Sequence, residues 1–154
     1  MGRGFEIPAL LFCVALGIAH LLQADAPYQE AKLALAAFIL GVAVDSWLQV
    51  FSVINFYGWA FWKLSPFWLW ALWVLFAMTL NSSLAFLKQR PLWLSAALGG
   101  LFGPITYLAG TKLGAASFDN SVAHMCILAL AWMVSMPTLV FIAQWASPTA
   151  RSDT

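Results

Sequence analysis

The chain has 154 residues, of which 63% are hydrophobic and only 8% charged, with a formal net charge of +1. A soluble domain is about half apolar and about a quarter charged, and a chain this short has no core large enough to hide the excess. The composition therefore excludes an ordinary water-soluble domain and marks an integral membrane protein. The near-neutral charge removes any bulk electrostatic case for nucleic acid.

The first apolar run covers about residues 5–22. Arg3 before it and Ala24-Asp25-Ala26 after it imitate a secretory signal peptide. Pro27 beside that cleavage-like site, the length of the run and His20 inside it favour a retained helix. Position 6 is Glu, so the start fails the myristoylation pattern. A short polar loop follows, and a second helix is expected over residues 31–56. Its interior carries one ionisable residue, Asp45, with Gln49 and Ser52 further along the same face. An aromatic loop over residues 57–65 holds Trp59, Trp62 and Lys63 as interface anchors. Ser65-Pro66 reads as an N-cap and first-turn pair opening a third helix over residues 66–87. Trp68, Trp70 and Trp73 lie in its first turns, as part of a lipid-facing belt. Lys88-Gln89-Arg90 closes it.

The fourth helix is expected over residues 91–114 and the fifth over residues 121–145, with kinks at Pro104 and Pro137. The fourth contains five of the ten glycines, at 99, 100, 103, 110 and 114. Gly99, Gly103, Tyr107, Gly110 and Gly114 recur at steps of three or four, which places them on one helical face. Gly99-x-x-x-Gly103 and Gly110-x-x-x-Gly114 are small-residue helix-packing motifs. The predicted fold is thus an all-α bundle of five transmembrane helices forming one domain over residues 1–154, without a soluble domain. The N-terminal side carries Arg3, Lys63 and Lys112, and the other side Lys32, Lys88, Arg90 and Arg151. Lys88 and Arg90 in a tight loop favour that second side as cytoplasmic, with the N-terminus outside.

Asp45 is the only acid in the interior of the predicted spans. A charge at the bilayer centre costs about 2.5–3.5 kcal/mol on insertion scales, so it is expected to face the bundle interior with a partner. Depth alone offers Asn81, Ser135 and the Gly100 carbonyl, released because Pro104 has no N–H to give it. Asp45 is either a proton, headgroup or ion site, or a hydrogen-bonded tie between helices. Gly103 and Pro104 lie at similar depth. Tyr107 and His124 form a second candidate group, each with an ordinary interfacial role as the alternative. His20 reads as a helix-end residue and Lys112 as a snorkelling anchor. Cys13 and Cys126 fall in apolar stretches and read as small packing residues. No metal-ligand spacing, P-loop, nucleophile elbow or paired catalytic carboxylates occur, and neither metal nor cofactor is expected.

Three blocks carry a resemblance: Gly41-x-x-x-Asp45-Ser46; Leu72-Trp73-x-x-Phe76-Ala77-x-Thr79-Leu80-Asn81-x-Ser83-Leu84; and Gly99-x-x-x-Gly103-Pro104-x-x-Tyr107-x-Ala109-Gly110-x-x-Leu113-Gly114-Ala115. The pattern resembles a family of uncharacterised bacterial inner-membrane proteins of about this length. Its members tend to be encoded beside fatty-acid-modifying proteins, including methyltransferases and flavin oxidoreductases. The resemblance implies a role in membrane lipid modification by genomic association, and it supplies no catalytic residues. Three functions follow for testing. The first is a lipid-related enzyme or accessory, with membrane lipids and lipid-modifying enzymes as partners. The second is a small proton-coupled transporter acting as an oligomer. The third is an assembly factor whose glycine face binds a partner membrane helix.

Overall fold

The computed structural model describes residues 6–119 and 121–146. Phe5, where the first span was expected to begin, lies outside them, as do Arg3, Arg151 and the polar tail from residue 147. Five α-helices form: α1 Glu6–Gln23, α2 Pro27–Val50, α3 Phe67–Thr79, α4 Leu92–Lys112 and α5 Val122–Ala146. Three of them, α2, α4 and α5, are long and apolar enough to cross a membrane. At 1.5 Å per residue, 21 to 25 residues exceed the roughly 30 Å of a bilayer's hydrocarbon core. α1 and α3 are apolar but shorter over their described lengths.

The second helix differs from its predicted span at both ends. It begins at Pro27, because proline's fixed φ and missing N–H suit the first helical turn. It stops at Val50 rather than residue 56. Ser52 turns left-handed, at φ 57°, and the N–H groups of Val53 and Ile54 both fold back onto the Leu48 carbonyl. The chain then extends into a two-residue strand, β1 Asn55–Phe56. It pairs antiparallel with β2, Ala116–Ser117, in the register Asn55↔Ser117 and Phe56↔Ala116. This small clip was not foreseen in an all-helical reading. The Tyr57 hydroxyl seals it, donating to Ser117 Oγ at 2.7 Å.

The third helix ends at Thr79, not at residue 87. From there the backbone tightens into i→i+3 bonds, from Leu80 N–H to Ala77 and from Ser82 N–H to Thr79. A 3₁₀ turn follows over Ala85–Gln89. Hydroxyls bond the backbone here, Thr79 Oγ1 donating to the Phe76 carbonyl and Ser82 Oγ to that of Met78. At the other end of α3, Pro66 rather than Ser65 occupies the capping position, with no side-chain cap. Ser65 is buried. It donates its N–H to Ser46 Oγ and accepts from the Trp70 indole, which ties α2 to α3.

α4 and α5 run unbroken through Pro104 and Pro137. They pack closely because three glycines let them. A Cβ at Gly99 would overlap the Trp132 carbonyl, at Gly100 the Met133 side chain, and at Gly103 the Trp132 indole. The predicted glycine face divides here. Gly110 has nothing within 4 Å of its would-be Cβ, and Gly114 lies beyond the helix at φ 75°.

The core consists of two clusters. One gathers Leu33, Ala37, Trp73, Ala77, Leu139, Val140 and Ala143; the other gathers Leu48, Ile54, Tyr107, Ala116 and Leu128. Val44 and Trp132 pack against both. Outward faces carry exposed apolar side chains, among them Phe12, Ile39, Phe102, Val134 and Phe141. Such a surface suits hydrocarbon and not water.

Candidate functional site

Two polar clusters lie on α2, one in its last two turns and one in its first turn. Asp45 stands in the former, with 0% of its surface exposed. Both carboxylate oxygens are occupied: the Trp73 indole N–H donates to Oδ2 at 2.7 Å, and the Tyr107 hydroxyl to Oδ1 at 2.5 Å. Asp45 thereby joins α2 to α3 and α4. α5 supplies the cover. The Trp132 ring stacks on Trp73, with centroids 4.9 Å apart and planes 10° from parallel. Phe76 meets Trp132 edge-on, and Phe56 leans on Tyr107.

The spacing that builds this cluster is regular. Gly41 sits one turn before Asp45, and a Cβ there would overlap the Trp73 indole. Gly103 sits one turn before Tyr107 and makes the same room for Trp132. Each glycine clears a seat for a large ring, and the residue one turn on makes the hydrogen bond. The arrangement satisfies a buried acid with neutral donors and walls it with aromatic carbon. Chemically it is equipped to hold helices together.

The sequence-level candidates separate. Tyr107 reaches Asp45, and Gly103 and Pro104 are buried beside it on α4. Asn81 does not reach it; Asn81 Oδ1 accepts from Lys88 Nζ at 2.8 Å. Ser135 is buried but donates back to the Ala131 carbonyl of its own helix. His124 is engaged at the start of α5, where its N–H donates to Ser121 Oγ and Nδ1 lies 3.2 Å from the Asp119 carbonyl. Tyr107 and His124 thus form no pair. Trp73 was read as a belt residue, yet it is a donor in the Asp45 cluster, and Trp132 is the lid.

The second cluster surrounds an open cavity of about 290 Å³, where α1 ends and α2 begins. His20, Asp25, Gln29, Glu30, Asn81 and Lys88 are among the residues lining it. Glu30 is 8% exposed. Its Oε2 lies 3.6 Å from His20 Nε2, beyond hydrogen-bond range, and neither atom has a hydrogen-bond partner. Because α2 starts early, Glu30 stands in its first turn, where the helix dipole favours an acid. α5 closes in from the far side, with Gln144 Nε2 donating to the Lys88 carbonyl at 2.7 Å. Among the described residues, no group of three or more His, Cys, Asp or Glu side chains converges as a metal site.

Compared with family models, residues 2–138 match the family described as "Protein of unknown function (DUF2878)". The chain belongs to this family. The matched span contains both clusters, from His20 through Trp132, and ends within α5. Neither the curated proteins nor the solved structures contain a significant match. The site has therefore to be read from its own chemistry. Glu30 had been assigned to a polar loop, and the signal that could have moved it was Pro27, a favoured first-turn residue three positions earlier. Trp73 lies within the family-like pattern, between Gly41-x-x-x-Asp45 and Tyr107, and is a buried-donor candidate on that ground.

Proposed function

We propose that the chain is a single-domain, five-span membrane protein of the bacterial inner membrane that takes part in membrane lipid modification. It holds the polar end of a lipid in the cavity beside Glu30 and Lys88. The carrying observation is the almost wholly buried Glu30 carboxylate, set against His20 and lining a polar cavity at the end of a bundle with an apolar outer surface. That is the depth at which a headgroup meets its acyl chains. The implied genomic association with fatty-acid-modifying enzymes points the same way, and such enzymes are the proposed partners.

The five-span reading rests on α1 and on α3 with its continuation. From Phe67 the chain runs through α3, the tight turns and the 3₁₀ segment to Arg90, keeping one course between the two ends of the bundle. Lys32, two residues after Glu30, and Lys88 with Arg90 belong to the segments at the cavity end, which supports a cytoplasmic placement of that end with the N-terminus outside. Proton-coupled transport at Asp45 fits less well, because both oxygens are engaged and rings enclose them. A helix-binding role for the glycine face also fits less well, because Gly99, Gly100 and Gly103 are used by α5.

Mass spectrometry of lipid extracted from the purified protein tests the reading, together with the fatty-acid profile of a deletion strain. Co-purified lipid and an altered profile are expected. Lipid-free protein and an unchanged profile would overturn it.

A further inference from the structure

The cavity beside Glu30 is divided by charge. One part of its lining comes from the α1–α2 turn and the first turn of α2, with Asp25 and Glu30. The other comes from the segment that follows α3, with Asn81 and Lys88. Glu30 Oε2 faces His20 Nε2 at 3.6 Å without a hydrogen bond, and a buried carboxylate left so is costly. A ligand that donates there relieves that cost. The Lys88 ammonium, held by Asn81 at 2.8 Å, presents the opposite charge to the same space. A bare phosphate would meet two acids, and a bare amine would meet a lysine. A molecule carrying both charges meets each with its opposite.

We infer that the Glu30–Lys88 cavity binds a small zwitterion made of a primary ammonium and a phosphate, the chemistry of an ethanolamine phosphate group. The ammonium donates to the Glu30 carboxylate, and the phosphate accepts from Lys88. Two features select a primary over a quaternary ammonium. Glu30 needs a hydrogen-bond donor, which a trimethylated nitrogen lacks. Quaternary ammonium groups are held by aromatic cages, and among the described residues no Phe, Tyr or Trp side chain lines this cavity. The volume, about 290 Å³, sits at the lower edge of the roughly 300–1,000 Å³ typical of ligand sites. It fits a headgroup and leaves acyl chains to the apolar surface outside. The inference deepens the lipid reading given above and rests on it only for the source of the ligand, a phospholipid headgroup or the free aminophosphate.

Titration calorimetry on the detergent-solubilised full chain, with O-phosphoethanolamine, phosphocholine, inorganic phosphate and ethanolamine as separate probes, tests the charge-divided site. Phosphoethanolamine is expected to bind at least about tenfold more tightly than each of the other three, the scale of one charge-assisted hydrogen bond. Glu30→Gln and Lys88→Ala are each expected to weaken it by about tenfold or more, while thermal unfolding without ligand checks that the variants fold. The wild-type ranking of the four probes needs no variant. Equal binding of phosphocholine or inorganic phosphate, or no binding of any probe, would overturn the inference. Reconstitution in nanodiscs of mixed phosphatidylethanolamine and phosphatidylglycerol, followed by lipid analysis of the repurified protein, separates the two sources. Enrichment of phosphatidylethanolamine supports both the inference and the lipid reading. Binding of free phosphoethanolamine with no retained lipid supports the inference and removes the lipid reading. Equal retention of phosphatidylglycerol removes the inference and leaves the lipid reading standing.

Discussion

α2 carries two buried carboxylates in very different surroundings. Asp45, in the last two turns, receives a hydrogen bond on each oxygen and is roofed by the Trp73–Trp132 stack. Glu30, in the first turn, is nearly as deeply buried, yet its Oε2 has no hydrogen bond, only His20 Nε2 at 3.6 Å, and the residue lines an open cavity. Burial by itself therefore separates nothing here. A satisfied acid makes a joint between helices, and an acid short of a donor, beside a cavity, makes a place for something else. The same contrast appears in the glycines. Gly41, Gly99 and Gly103 are filled by neighbouring side chains or backbone, whereas Gly110 faces open space and contributes no packing inside the chain.

The contrast can be broken from the Asp45 side first. Trp132→Ala removes the roof that joins both core clusters and is expected to cost about 3–5 kcal/mol, the range for truncating a buried aromatic. Thermal or denaturant unfolding in detergent measures it, and a loss below 1 kcal/mol would place the joint elsewhere. Gly103→Val drives a side chain into the Trp132 seat and is expected to cost about 2–3 kcal/mol by overpacking, whereas Gly110→Val, in open space, is expected to cost well under 1 kcal/mol. Equal effects at the two glycines would refute the division of that helix face. Tyr107→Phe keeps the ring but strips the donor from Asp45 Oδ1, with an expected loss of about 1–2 kcal/mol. Asn81→Ala removes the acceptor that holds Lys88. Its expected stability effect is the smallest, about 0.5 kcal/mol, the scale of an accessible charged pair, read in the same unfolding assay against wild type.

The gross helical layout was legible because long apolar runs bounded by Pro, Gly and charged residues have few alternatives. α4 and α5 fall within two residues of their predicted limits. The end of α2 was hidden, since Ser52-Val53-Ile54 continues an apolar pattern and nothing local announces a left-handed turn. The end of α3 was written in Asn81-Ser82-Ser83, but hydroxyls that bond the backbone look the same as a polar turn of helix until the bonds are seen. The partners of Asp45 were misjudged for a geometric reason. Counting residues along a helix expected to reach residue 56 misplaced Asp45 in depth and fixed no rotation: Asn81 lies at the cavity beside Glu30, at the other end of α2, and Ser135 turns back onto its own helix. The four-residue steps did carry rotation, and they linked Gly103 to Tyr107 correctly. Trp73 escaped because an indole serves equally well as a lipid anchor and as a buried donor. Glu30 and His20 were separated by assigning one to a loop and the other to a helix end, when the early start of α2 brings them to 3.6 Å.

The central claim is that two acids on one helix do different work, and the same isosteric exchange at each tests it directly. Asp45→Asn and Glu30→Gln both replace a carboxylate with an amide of equal shape. Unfolding stability and phosphoethanolamine affinity are to be measured side by side on both proteins. Asp45→Asn is expected to lower stability by about 1–3 kcal/mol, because its new N–H₂ faces donors, with affinity retained in the folded fraction. Glu30→Gln is expected to leave stability unchanged or slightly raised and to weaken binding by about tenfold or more. Loss of affinity in Asp45→Asn at full stability, with Glu30→Gln binding as wild type, would contradict the account.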